Sequence, residues 1–207
     1  MKLKIYPKSP AARHISILTE TLNKGGLVII PTDSVYAIAC AANNPEGIKK
    51  LAALKGSSID KCKFSFLFSD LSMVSEYTKP INKDHYKMMN RLLPGPFTFI
   101  VPSNGAISKI FPGKKTVGIR IPDNNIPLCI INELCVPLIV TSVHDNDEIV
   151  DYTTDPDLIS TNWEAKVDIV VDGGYGNNEP STVLDCTEET ITMIRQGIGE
   201  LEEIISV

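Results

Sequence analysis

The sequence predicts an α/β domain built on a mixed β-sheet, and three observations carry this. Short apolar runs alternate along the chain with amphipathic segments, which is the α/β pattern. The chain has 207 residues, the length of one domain of ordinary or slightly generous size. Several strand-like runs are separated by too little chain for a helical crossover, so some neighbouring strands must be antiparallel.

Ser9-Pro10 opens the first helix, whose Ile15, Leu18 and Leu22 share one face, and Gly25-Gly26 stops it. Leu27 to Pro31 reads as a short buried strand. Asn44-Pro45 starts a second helix through Leu54, with Ile48, Leu51 and Leu54 on one side and Gly56 near its end. Phe64 to Phe68 is the next strand. Helical segments follow near 70–78 and 82–93, and Pro94-Gly95-Pro96 ends the second and launches the strand Phe97 to Val101. Thr116 to Ile121 reads as a strand and Pro127 to Leu134 as a helix. Leu138 to Val143, Val167 to Val171, Ser181 to Cys186 and Thr192 to Gln196 complete seven or eight strands.

Composition narrows the function classes. With 43% apolar and 22% charged residues and a mean hydropathy of +0.04, the chain has the make-up of a soluble globular protein. No apolar run reaches the ~18 residues of a membrane span, and MKLKIYPKSPAARH lacks a secretory apolar core, so a cytoplasmic location is expected. Five cysteines, at 40, 62, 129, 135 and 186, form no Cys-x-x-Cys, which argues for reduced thiols rather than disulfides or structural zinc. The net charge of -5 repels a nucleic-acid backbone, so any anion site must be a local basic pocket.

Several residues could carry chemistry. Pro31-Thr32-Asp33-Ser34-Val35-Tyr36 is a polar cluster directly after a buried strand, either a ligand-facing loop or a locally bonded turn. Lys55, Lys61 and Lys63 lie within nine residues with Ser57 and Ser58, as a phosphate contact or as a solvated loop, and the Walker A spacing is absent. Arg120 lies inside an apolar strand and needs an anion, either a structural carboxylate or a ligand carboxylate. Arg195 repeats that situation in the last strand. Ser142 ends one strand and Ser181 opens another, both placed to line a pocket or merely to finish strands. His14, His85 and His144 make neither a metal-ligand nor a triad pattern, and Asp168, Asp172 and Asp185 read as strand-end residues.

Six islands in order, GGLVIIPTDSVYAIAC, LLPGPFTFIVP, KKTVGIRIP, PLIVTS, VDIVVDGG and STVLDCTEETITMIRQG, resemble the YrdC-like family of threonylcarbamoyl-adenylate synthases. These are the first enzymes of the threonylcarbamoyladenosine tRNA modification. The resemblance runs from about residue 10 to 200, and FSFLFSDLS and GGYGNNEPSTVLD look most like the family's YciO branch. It implies a single YrdC-like domain with a twisted open mixed sheet, flanking helices and a basic concave pocket. It also implies a reaction in which threonine carbamate, formed from L-threonine and bicarbonate, attacks the ATP α-phosphorus and releases pyrophosphate. ATP is a substrate accompanied by Mg2+, with no metal site on the protein.

Carried over by position, Lys55 and Arg120 are the catalytic pair. Arg120 holds the threonine carboxylate, with Thr32, Ser34, Ser181 and the backbone at Val140 around the amino acid. Lys55, Lys61, Lys63, Thr116, Ser142 and Arg195 face ATP. Where the family has a lysine, arginine and proline signature, this chain reads Lys55-Gly56-Ser57-Ser58; the family's strand histidine is replaced near Leu67, and its Ser-Ala-Asn is Ser142-Val143-His144. Partners on this reading are the substrates, tRNA or tRNA-modification proteins, and no membrane. A second reading is double-stranded RNA binding on the same concave surface, through Lys55, Lys61, Lys63, Lys114, Lys115, Arg120 and Arg195.

Overall fold

A computed structural model describes residues 1–56, 64–143 and 154–200. Its strands are β1 (Lys2–Lys4), β2 (Val28–Ile30), β3 (Ala37–Ala41), β4 (Ser65–Leu67), β5 (Phe97–Pro102), β6 (Thr116–Arg120), β7 (Leu138–Ser142), β8 (Ile169–Asp172), β9 (Thr182–Asp185) and β10 (Thr192–Arg195). The helices are α1 (Ala12–Asn23), α2 (Pro45–Leu54), α3 (Leu71–Ser75), α4 (Lys83–Leu92), α5 (Gly105–Ile110), α6 (Asn125–Leu134) and α7 (Pro156–Trp163). Among the described residues these ten strands join one sheet in the order β1-β8-β2-β3-β7-β4-β6-β5-β9-β10. The pairs β1/β8, β2/β8, β4/β6 and β5/β9 are parallel and the other neighbours antiparallel, so the sheet is mixed and open.

The sheet has two unlike faces, set by side-chain alternation along each strand. On one face Ile38, Cys40, Phe66, Phe99, Ile119 and Ile139 pack into a large core with residues of α2, α4, α5 and α7. On the other, Val28, Ile30, Ala37, Ala39, Ala41, Leu138 and Val140 meet the buried stripes of α1 (Ile15, Leu18, Leu22) and α6 (Ile126, Ile130, Ile131). The alanines of β3 keep this seam thin. Beyond β7 the second face opens: Ser65, Ile100, Pro102, Thr116, Gly118, Val183 and Asp185 all point that way and are only partly buried. This open half of the sheet carries the site.

Most expected elements are present with shorter ends. The helix expected from Pro127 begins at Asn125, because the Asn124 side chain caps it by accepting from Ile126 N. The segment near 70–78 gives only the short α3, after which Thr78 bridges to Ser103. Four elements go beyond the expectation: β1, β3, α5 and α7. Among the described residues no helix is long and apolar enough to cross a membrane. The four described cysteines are free thiols, and Cys62 lies outside the described residues.

Candidate functional site

The loop Pro31 to Tyr36 between β2 and β3 folds onto the open face and meets the end of β6. There Arg120, 7% exposed, forms a buried ion pair with Asp33 through Nη2, which also donates to Thr32 Oγ1 at 3.3 Å. A carboxylate of the chain itself therefore supplies one anionic partner. The pair is buttressed: Asp33 Oδ2 accepts from Asp123 N at 3.0 Å, and Thr32 Oγ1 donates to Val35 O at 2.8 Å and accepts from Ser34 N at 3.1 Å. Asp33 and Thr32 engage only Nη2. Arg120 Nε is buried and has no hydrogen-bond partner among the described residues. A buried unpaired donor on a cation is costly, and such an edge is where an anionic ligand gains most.

The register extends this centre sideways. Phe99 opposite Ile119 sets Thr98 opposite Arg120, Thr98 pairs with Val183, and Val183 with Arg195. Arg120, Thr98 and Arg195 therefore share one row and one face. Thr98 Oγ1 and Ser181 Oγ lie 2.8 Å apart, both residues 5% exposed, and Arg195 Nη2 donates to Ser181 O at 2.8 Å. Burial and the Arg120 cation both push the Arg195 guanidinium below its ordinary pKa, which marks the two arginines as electrostatic neighbours. The turn after β10 locks Ser181: Gly197 N donates to Thr182 Oγ1 at 2.9 Å and Ile198 N to Pro180 O at 3.0 Å. A Cβ on Gly197 would lie 2.1 Å from Pro180 O, so this close approach requires glycine.

A second group stands at the other end of β6. Thr116 is four residues before Arg120 on the same face, roughly 13 Å along the strand at about 3.3 Å per residue. Lys55 closes α2 and its Nζ donates to Ser142 O at 3.3 Å, at the end of β7. The register Ser65 opposite both Val140 and Gly118 places Ser142 and Thr116 toward that same end.

The described residues singled out in the sequence can now be placed. Thr32, Arg120, Ser181 and Arg195 meet in one centre, and Lys55 and Ser142 meet in another. Arg195 lies on the Arg120 row. Ser34 is fully buried and supports Thr32 from behind, with its carbonyl accepting from Asn177 N at 3.3 Å. Val140 lies mid-β7 between Ala39 and Ser65 and is buried, 6% exposed, in the core beneath α1 and α6. Ser57, Lys61, Lys63 and His144 lie outside the described residues. The sequence reading missed Thr98 and Asn177, and it named Asp33 only within a cluster. Asn177 Nδ2 donates to Asp33 O at 3.0 Å and ties the 173–180 loop to the site. The acid in PTDS was the signal available for Asp33, once Arg120 was known to need an anion. Among the described residues no group of His, Cys, Asp and Glu could hold a metal.

The fold is a mixed α/β sheet whose open face carries a buried arginine, Arg120, and the buried Thr98–Ser181 hydroxyl pair, with the exposed Arg195 on the same row. The chain belongs to the Sua5/YciO/YrdC family, whose model, described as "Telomere recombination", matches residues 20–197. An uncharacterised protein of Haemophilus influenzae is 33% identical over 97% of both chains. The threonylcarbamoyl-AMP synthase of Bacillus subtilis is 29% identical over 90% of this chain and 54% of its own length. The crystal structure of Escherichia coli YciO superposes with a TM-score of 0.88 at 28% identity, covering 98% of each chain. Pyrococcus abyssi Sua5 complexed with L-threonine shares the fold, with a TM-score of 0.87 at 22% identity over 100% of this chain and 60% of the other. The family thus includes threonylcarbamoyl-AMP synthases, and its two-sided sheet is the fold seen here.

Proposed function

We propose that this protein forms threonylcarbamoyl-AMP from L-threonine, bicarbonate and ATP, for tRNA threonylcarbamoyladenosine modification. The observation that carries the reading is Arg120, held rigid by Asp33 and Thr32 while its buried Nε lacks a partner. A threonine carboxylate accepts from that free edge, and the Ser181–Thr98 hydroxyl pair borders the amino acid. The amine then adds to the carbon of bicarbonate with loss of water to give the carbamate. The carbamate oxygen attacks the ATP α-phosphorus, and the bond to the β-phosphate oxygen breaks to release pyrophosphate. Two anions must meet for this step, so the protein's work is positioning and charge neutralisation. Lys55, Thr116 and Ser142 border the nucleotide, and Arg195, on the row of Arg120, is a further cation for it. Mg2+ arrives with ATP.

Duplex-RNA binding has no comparable observation behind it. Arg120 is neutralised by Asp33, Arg195 is engaged by Ser181, and the chain carries a net charge of -5. The test is pyrophosphate release from ATP, expected only when threonine and bicarbonate are both present. Arg120→Lys keeps a cation for Asp33 but has no Nε–H edge; it is expected to lose activity at least 10-fold with the melting temperature nearly unchanged, since one charge-assisted hydrogen bond is worth about 1.5 to 3 kcal/mol. Pyrophosphate release independent of threonine, or full activity in Arg120→Lys, would sink the reading.

A further inference from the structure

The segment 85–122 holds no aspartate or glutamate, although the whole chain has a net charge of -5. The fold gathers part of the cationic charge of this segment behind the sheet. β5 ends at Pro102, α5 follows from Gly105, and a turn through Gly113, whose φ is +81°, returns the chain to β6. Ile107 and Phe111, at and after α5, sit in the core on the closed face, so this corner lies on the other side of β5 and β6 from Arg120 and Ser181. Between Lys79, α5 and the turn is a cleft of about 550 Å3, a volume within the range of small-molecule sites. Lys79, Lys114 and Lys115 border it together with Ser103 and Ser108; among the described residues no carboxylate and no aromatic ring does.

The backbone under these lysines is pinned. Ser103, 5% exposed, donates from N to Lys115 O at 2.9 Å and from Oγ to Lys114 O at 2.8 Å, and it bridges to Thr78. Lys79 N donates to Pro102 O at 3.0 Å, and Asn104 Nδ2 to Glu76 O at 2.7 Å. The side chains of Lys2, Lys24, Lys49 and Lys87 each pair with a carboxylate, whereas Lys79 and Lys115 have no salt-bridge partner among the described residues. The bottom of the cleft is open, since a Cβ added at Gly105 or Gly113 would meet nothing within 4 Å. Ammonium groups converging on one space repel each other, and a multiply charged anion between them relieves that repulsion.

We infer that this cleft is a second anion site, for an oligophosphate group: free pyrophosphate or the phosphate tail of a nucleotide. Lysines supply mobile point charges suited to the several oxygens of such a group, and without a ring to stack on or an acid to pair with, the cleft selects phosphate over a base or an amine. The site is separate from the reaction proposed above, whose threonine and ATP seats face the open half of the sheet.

Calorimetric titration of sodium pyrophosphate, in magnesium-free buffer at fixed ionic strength, into the full chain and its variants tests this. Lys79→Glu and Lys115→Glu are each expected to weaken a pyrophosphate site at least 10-fold with the melting temperature retained, and Lys79→Arg to keep it within about threefold. Lys55→Ala, on the open half, should leave that site unchanged. Displacement of the pyrophosphate by ATP would assign the cleft to nucleotide tails, and its failure to free pyrophosphate; either outcome supports an oligophosphate site, whereas displacement by adenosine overturns it. Unchanged affinity in both glutamate variants overturns the inference, as does a loss that follows Lys55→Ala and not Lys79→Glu, which would put the anion on the open face. A collapse of the melting temperature in the glutamate variants, with binding also lost in Lys79→Arg, overturns it too. An unaltered chain that releases no pyrophosphate from ATP, threonine and bicarbonate sinks the reaction and leaves this site standing.

Discussion

Arg120 is tolerated inside the sheet because Asp33 faces it, with side-chain exposures of 9% and 11%. Removing one partner of a buried pair strands the other charge, which costs about 3 to 5 kcal/mol, whereas replacing both with apolar groups can be nearly neutral. Asp33→Ala is therefore expected to lower unfolding stability by about 3 to 5 kcal/mol, and adding Arg120→Met should recover most of that loss. Urea denaturation of the two variants measures both. If Asp33→Ala costs less than about 1 kcal/mol, water or another group already shares the guanidinium. The need for such a partner was legible in the sequence, since an arginine in Val-Gly-Ile-Arg-Ile-Pro cannot stand alone. Its identity was not, because the carboxylate comes from 87 residues away.

At the scale of elements, legibility followed local signals. The helices α1 and α2 could be read because their apolar residues recur at helical spacing, and in α2 because Asn44 and Pro45 announce the start; the Asn44 side chain accepts from Glu46 N and Gly47 N, each at 3.1 Å. β3 could not, since Ala-Ile-Ala-Cys-Ala has weak strand propensity and follows a polar cluster without a break. Burial between β2 and β7 makes it a strand. β1, Lys-Leu-Lys, is an edge strand that gains its conformation from β8. α7 did carry a signal that went unused, Asp155 capping with Pro156 in the first turn. The turn after β10 gives a test at this scale. Gly197→Ala drives a methyl into Pro180 O and should cost about 1 to 3 kcal/mol, as overpacking does. Because the same turn fixes Ser181, threonine affinity should fall with it. Gly105→Ala, where an added Cβ meets nothing within 4 Å, is the control expected to be neutral. Equal stability of the two variants would show that the turn yields without strain.

For the whole molecule, burial shapes the response to alkali. Desolvation raises the thiols of Cys40 and Cys186 and the phenol of Tyr36, each to about 12, and Tyr36 OH donates to Gly174 O at 2.6 Å. The folded protein holds these protons more tightly than the unfolded chain. Their stabilisation is complete below the unfolded values, near 9 for the thiols, and is lost as pH rises toward 12. At pH 10 the unfolded chain gains about 1.4 kcal/mol per buried thiol. The melting temperature should hold from pH 7 to 8.5 and fall clearly by pH 10, and Cys40→Ala should show a shallower fall. A flat profile to pH 11 would mean that the thiols reach solvent.

The sheet order has a kinetic consequence. Thr32, Arg120 and Ser181 come from separate thirds of the chain, and their strands are joined through β3, β7, β4 and β5, so no contiguous stretch of polypeptide brings these three together. Pairings this distant in sequence close large loops and form slowly. After dilution from denaturant, ligand binding should return as a late event, in step with the docking of β9 and β10 and well behind the recovery of helical circular dichroism from α1 and α2. A nascent chain would have no binding capacity until its last strands had been made, so a truncated product would compete neither for threonine nor for ATP.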